Sequence, residues 1–156
     1  ALGTSSGSEE TYLGLRGIRT LEVRLYKHMT SGIEIAKWLQ ARSEVARVMH
    51  PALPGDPGHA LWKRDFTGAS GLFSIVLKPV SETALAAFLD GLQLFGMGYS
   101  WGGYESLVIP FDPTSYRTAT RWTDKGPALR FHIGLEDIDD LKRDLADAFA
   151  RLNAAG

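Results

Sequence analysis

A two-layer α/β sandwich (α+β type), with a small, mostly antiparallel sheet covered by helices, is predicted by three observations. Short apolar or alternating segments recur between longer stretches of helical period, each bounded by glycine, proline or a capping side chain. No dinucleotide-binding fingerprint accompanies the strands, so a doubly wound parallel sheet is not indicated. The chain has 156 residues, 44% of them hydrophobic, enough for one domain that buries roughly 68–70% of its unfolded surface.

The first helix opens at Ser8, a hydroxyl cap followed by Glu9 and Glu10 against the positive end of the helix dipole. Gly14 and Gly17 weaken its continuation, so a break is expected near Gly17 and a longer helix over 19–42. Leu21, Leu25, His28, Gly32, Ile35 and Leu39 step by three or four and form the expected core stripe of that helix. Residues 44–49 are β-branched, short and stopped by His50-Pro51, which reads as a strand. Three prolines and two glycines in 51–59 fit only an ordered loop, followed by a helical turn over 60–64.

Residues 71–77 are apolar on both faces and predict an interior strand. Ser81 and Glu82 then start a helix whose buried stripe is Leu85, Phe88, Leu89 and Leu92, and 93–97 is a strand running into the glycine-rich 98–103. Residues 105–110 read as extended chain ending at proline. Strict alternation over 128–133 puts Leu129, Phe131 and Ile133 on one face, Arg130 and His132 on the other. Asp137 caps the last helix, and Ile138, Leu141, Leu145, Ala148, Phe149 and Leu152 form its stripe.

Composition excludes several functions. A formal charge of −1 gives no long-range pull on phosphates or anionic lipid, so neither nucleic acid nor a membrane is expected as a partner. No apolar run is long enough to span a bilayer. With no cysteine there is neither a disulfide framework nor a thiolate nucleophile, and the cytoplasm is the expected compartment. The four histidines, His28, His50, His59 and His132, lack metal-ligand spacing, so no metal site is expected. The chain begins at Ala1 without an initiator methionine, as expected of a processed chain or a fragment.

Two motifs bear on chemistry. Gly98-Tyr99-Ser100-Trp101-Gly102 satisfies G-x-S-x-G, with Asp112 or Asp124 and then His132 following in hydrolase order. That elbow needs a helix directly after the serine, whereas extended chain is predicted there, so a serine hydrolase is the weaker alternative. Arg130 carries more weight: a guanidinium in the middle of an otherwise apolar strand needs an anion. Either Glu105, Asp112 or Asp124 supplies it internally, or Arg130 forms a bidentate clamp on a ligand carboxylate.

The strings RGIRTLEVRLYKH at 16–28, HPALPGDPGHALWKRDFTGASGLFS at 50–74, YSWGGYESL at 99–107 and LRFHIGLEDIDDL at 129–141 closely resemble the C-terminal portion of the Cys/Met-metabolism family of pyridoxal-phosphate enzymes. The Tyr99-Ser100-Trp101 form is similar to the cystathionine β-lyase branch rather than the γ-synthase or γ-lyase branches. The resemblance implies that Arg130 binds the substrate α-carboxylate and that Ser100, Trp101 and Tyr99 line the same site, with Ser100 a binder and not a nucleophile. It implies pyridoxal phosphate as the electron sink for removal of the Cα proton and cleavage of the Cβ–S bond of cystathionine, giving homocysteine, pyruvate and ammonia. None of Lys27, Lys37, Lys63, Lys78, Lys125 and Lys142 sits in the context of the family's Schiff-base lysine. The expected organisation is therefore a linker and first helix at 1–18 and the C-terminal small domain at 19–156. The large cofactor-binding domain would be a separate partner, the complete enzyme a homo-oligomer, and the chain alone unable to bind cofactor or turn over. A stand-alone amino-acid-binding or interaction module that reuses this domain is the further alternative.

Overall fold

The computed structural model describes residue 3 and residues 5–156. Residues 1, 2 and 4 of the expected opening loop lie outside the described residues. Helix α1 (Ser8–Ile18) begins at the residue expected to cap it, because Gly7 occupies the cap position and Ser8 is the first helical residue. The Gly7 carbonyl accepts from both the amide (3.1 Å) and the hydroxyl (2.8 Å) of Thr11, so backbone rather than the Ser8 side chain sets the start. The Gly17 carbonyl then accepts from the Thr20 amide at 3.2 Å and from Arg24 Nη2 at 2.8 Å. Those bonds stop α1, and α2 (Leu21–Gln40) follows at once.

The sheet has five strands in the order β1-β2-β5-β4-β3. Its members are β1 (Val45–Met49), β2 (Leu72–Leu77), β3 (Phe95–Met97), β4 (Ser106–Phe111) and β5 (Ala128–His132). Three pairings are antiparallel and β3–β4 is parallel, so the mostly antiparallel expectation holds. Helices α3 (His59–Asp65), α4 (Glu82–Asp90) and α5 (Ile138–Ala154) complete the chain with a 3-10 turn at Pro113–Ser115. Asp137 caps α5 through the amides of Asp139 and Asp140, and Ser81 caps α4 through that of Ala84.

One face of the sheet is sealed by helices. Phe73 on β2 stands opposite Phe131 on β5, their rings stacked 5.7 Å apart, and Phe95 meets Phe131 edge-on at the same distance. Phe88 of α4 and Phe149 of α5 close the layer above, 5.0 Å apart. Ile35 and Leu39 of α2 join this core, as does the expected stripe of α5. Helix α2 reaches the sheet through a glycine: a Cβ at Gly32 would stand 3.2 Å from the Gly71 Cα at the entry to β2.

The α2 stripe is buried only from His28 onward. Leu21 and Leu25 stay exposed, and α1 buries no residue, because these turns lie beyond the sheet and have only each other to pack against. Between them, α3 and the loop 50–70 lies an open groove of about 1100 Å3, lined by apolar side chains such as Ile18, Leu25, Met29, Leu61 and Phe66. Among the described residues no helix is long and apolar enough to cross a membrane.

Candidate functional site

The alternation of β5 places Arg130 and His132 on the sheet face opposite the phenylalanines. Arg130 stands in register between Ser74 of β2 and Ile109 of β4, and His132 between Leu72 and Leu107. The loop 98–105 reaches this face for a topological reason. It joins two parallel strands, so it must run back along the sheet before β4 begins. At Gly102 it turns with φ +85°, a backbone conformation natural to glycine; open space surrounds the missing Cβ, so conformation and not crowding requires the residue.

The loop and the strand meet at two points. Arg130 Nη2 donates to the Tyr99 carbonyl at 2.5 Å, with the guanidinium carbon 5.9 Å from the Tyr99 ring centre. The Gly102 amide lies 3.2 Å from Nε2 and 3.4 Å from Nδ1 of His132, and Nε2 is 3.1 Å from the Gly103 carbonyl. Beyond the loop, the fully buried Ser106 accepts from the Gly134 amide (2.9 Å) and donates its hydroxyl to Glu136 (2.8 Å), while its own amide donates to the same carboxylate (2.7 Å). The Leu135 amide donates to the Tyr104 carbonyl at 2.8 Å. These bonds lock the start of β4 to the end of β5, so the loop's far end is fixed.

Among the described residues Arg130 has no internal counter-ion. Asp124 pairs with Arg47, Asp112 accepts from the amide (2.9 Å) and hydroxyl (2.7 Å) of Thr114, and Glu105 is exposed beside the Tyr104 hydroxyl. Each carboxylate considered as its structural partner is thus engaged elsewhere or turned to solvent, and among the described residues Arg130 forms no ion pair. The internal ion pair weighed from the sequence is not formed. One donor is spent on a carbonyl and the rest of the guanidinium fork stays available on a half-buried side chain.

Ser100 and Trp101 are exposed on the same loop, and Tyr99 is 82% exposed, so its ring does not enter the core. No helix follows Ser100; the chain passes through the Gly102 turn into β4. With both candidate aspartates committed elsewhere and His132 held by loop backbone, the hydrolase elbow is absent. What sequence reasoning missed is the tie between His132 and the loop, and between Ser106 and Glu136. The alternation of 128–133 did put His132 beside Arg130, but the partner is a backbone amide, which no side-chain pattern reports.

The other histidines are structural. His28 Nδ1 lies 2.7 Å from the Ile133 carbonyl, and its ring centre is 5.1 Å from that of His132. His50 accepts from the Ala52 amide at 3.2 Å, and burial pushes its pKa down. His59 Nδ1 is 2.8 Å from the Pro51 carbonyl. Among the described residues no cluster of side chains could hold a metal ion.

Pyridoxal phosphate requires an enclosed lysine amine, and the described residues do not provide one. Lys142 is held by Glu34 at 2.6 Å, Lys27 is half-buried on α2, Lys37, Lys63, Lys78 and Lys125 are exposed, and no lysine lines the apolar groove. The chain alone does not fit the group, and no chemical step through it is assigned to these residues.

The model of the family described as "Cys/Met metabolism PLP-dependent enzyme" matches residues 1–150. The chain belongs to that family. It is 52% identical to the cystathionine beta-lyase of Salmonella typhimurium and 49% identical to that of Escherichia coli, in each case over 97% of this chain and 39% of the relative. The fold superposes with a TM-score of 0.83 and 34% identity on the cystathionine gamma synthase of Xanthomonas oryzae solved in complex with cystathionine, over 99% of this chain and 41% of that one. This chain therefore spans about two fifths of the length of the proteins it matches.

Proposed function

We propose that this chain is the substrate-carboxylate-binding small domain of a pyridoxal-phosphate-dependent carbon–sulfur β-lyase that cleaves cystathionine to homocysteine, pyruvate and ammonia. The observation that carries the reading is the unpaired Arg130 fork, presented on a rigid central strand beside a loop of exposed polar and aromatic side chains. A planar guanidinium with free donors suits a carboxylate better than any other common anionic group except phosphate. The Salmonella typhimurium and Escherichia coli relatives are named cystathionine beta-lyases, and the Tyr99-Ser100-Trp101 sequence supports the same branch.

In this reading Arg130 binds the α-carboxylate and thereby sets the orientation of Cα and Cβ. Ser100 offers a hydroxyl, and Trp101 and Tyr99 supply walls that exclude water from the bound amino acid. The cofactor and its lysine belong to a large domain outside these 156 residues, and that domain supplies the electron sink. Residues 1–18 act as linker and first helix, 19–156 as the small domain, and the isolated chain is inactive. In the complete, homo-oligomeric enzyme, Arg130→Leu should raise KM for cystathionine and cut kcat/KM by tens- to thousands-fold, matching a loss of roughly 2–5 kcal/mol, while the cofactor's visible absorbance is unchanged. Arg130→Lys should fail as well, since a point charge cannot make two parallel bonds. Unchanged KM in both variants would reject the assignment.

A further inference from the structure

His132 is 2% exposed, lies two residues from Arg130 on the same face of β5, and touches nothing that reacts. Its polar contacts all go to the backbone of the loop that carries Ser100 and Trp101. A neutral imidazole has one donor and one acceptor. The Gly102 amide lies beside both ring nitrogens, 3.2 Å from Nε2 and 3.4 Å from Nδ1, but the Gly103 carbonyl, 3.1 Å from Nε2, can only accept, so Nε2 carries the hydrogen and Nδ1 is left as the acceptor for the amide. One ring thus serves a donor and an acceptor on consecutive residues, at the single left-handed turn of the loop.

We propose that His132 is a positioning residue which, as the neutral Nε2–H imidazole, anchors Gly102 and Gly103 and so holds Ser100 and Trp101 in place around the carboxylate bound by Arg130. The inference rests on the carboxylate-binding reading of Arg130 for what is positioned, and on geometry alone for the anchoring. Protonation replaces the Nδ1 acceptor with a donor pointing at the Gly102 N–H and releases that half of the anchor. The surroundings favour the neutral form: burial pushes the His132 pKa down, and the nearby charges of His28 on α2 and Arg130 on β5 push the same way, against the Gly103 carbonyl and Glu136. His28 also packs its ring 5.1 Å away and ties α2 to the Ile133 carbonyl, which braces His132 from behind.

The anchor is tested on this chain by nitrogen-15 NMR, following the His132 ring nitrogens and the Gly102 and Gly103 amides as pH is lowered, with backbone order of the loop measured at each end. The expected result is an Nε2–H tautomer at neutral pH. Gly102 and Gly103 shifts should titrate with the ring, and order in 99–103 should fall once it is protonated. His132→Gln, which keeps a donor and an acceptor, should retain the order but lose the titration; His132→Phe should lose the order. Amide shifts that ignore the ring titration overturn the proposal, and this measurement needs no variant to fold. In the complete enzyme His132→Phe should raise KM on the order of tenfold with kcat little changed, the pattern of a lost ground-state contact; an unchanged KM also overturns it. A failure of the carboxylate reading shows separately, as an unchanged KM in Arg130→Leu.

Discussion

The two faces of β5 are built from one five-residue strand and obey opposite rules. On one, Leu129 and Phe131 are fully buried against α2, α4, α5 and the neighbouring strands, and need nothing further to be satisfied. On the other, Arg130 and His132 are held through backbone groups of a loop, and much of the guanidinium fork is left without an internal partner. The first face accounts for the fold's stability. The second presents a half-buried guanidinium whose remaining donors are open to solvent or to a ligand.

The sharpest way to break the comparison is to damage the sealed face. Phe131 contacts both Phe73 and Phe95, so Phe131→Ala should destabilise the chain by about 3–5 kcal/mol, read from denaturant unfolding. A loss below about 1 kcal/mol would mean that the core is not organised around that ring. On the polar side the largest effect belongs to Ser106, not to Arg130. Ser106→Ala removes the hydroxyl that accepts from the Gly134 amide and donates to Glu136, and should cost about 1–3 kcal/mol because the buried Gly134 amide is left without its acceptor, while Glu136 keeps the bond from the Ser106 amide. Thermal melts of the two variants under one buffer place them on a common scale.

Most of the sealed face was legible in the sequence because it is local and periodic. The alternation of 128–133, the Ser81 and Asp137 caps and the α5 stripe all fold as written. The α2 stripe was legible only from His28 onward. Periodicity reports which side of a helix is apolar, not whether a sheet extends far enough to cover it, so Leu21 and Leu25 were expected in the core and stand outside it. Of the candidate site, Arg130 stood out in the sequence as a charge in an apolar strand, and the loop residues were proposed through the family resemblance. Whether Arg130 had an internal partner was not visible, since Asp112 and Asp124 are taken by Thr114 and Arg47 through contacts that only the folded chain defines.

Acid should act on both faces of the molecule in the same direction but in different windows. His50 and His132 have folded pKa values below their ordinary value, so each contributes stability that is present above about pH 6.5 and is lost as pH falls from there toward the lowered value. Glu44 behaves likewise at lower pH. Burial alone would raise its pKa, but bonds from Asn153, its own backbone and Arg42 outweigh that and hold it at about 2, so its contribution is lost between about pH 4.5 and 2. A melting-temperature profile should therefore fall in two stages, and Glu44→Gln should flatten only the lower one. A profile with no loss until pH 4.5 would contradict the histidine assignments.

The smallest expected change in stability is also the most telling. If Arg130 is left free by the fold to take an external carboxylate, Arg130→Leu in this chain should shift the unfolding free energy by less than about 1 kcal/mol, since only one bond to a loop carbonyl is removed. A guanidinium serving a buried internal ion pair would instead cost roughly 3–5 kcal/mol when truncated. Equilibrium unfolding of wild type and Arg130→Leu under identical conditions decides the matter: near-coincident curves are predicted, and a loss as large as that of Phe131→Ala would make Arg130 a structural residue and contradict the account.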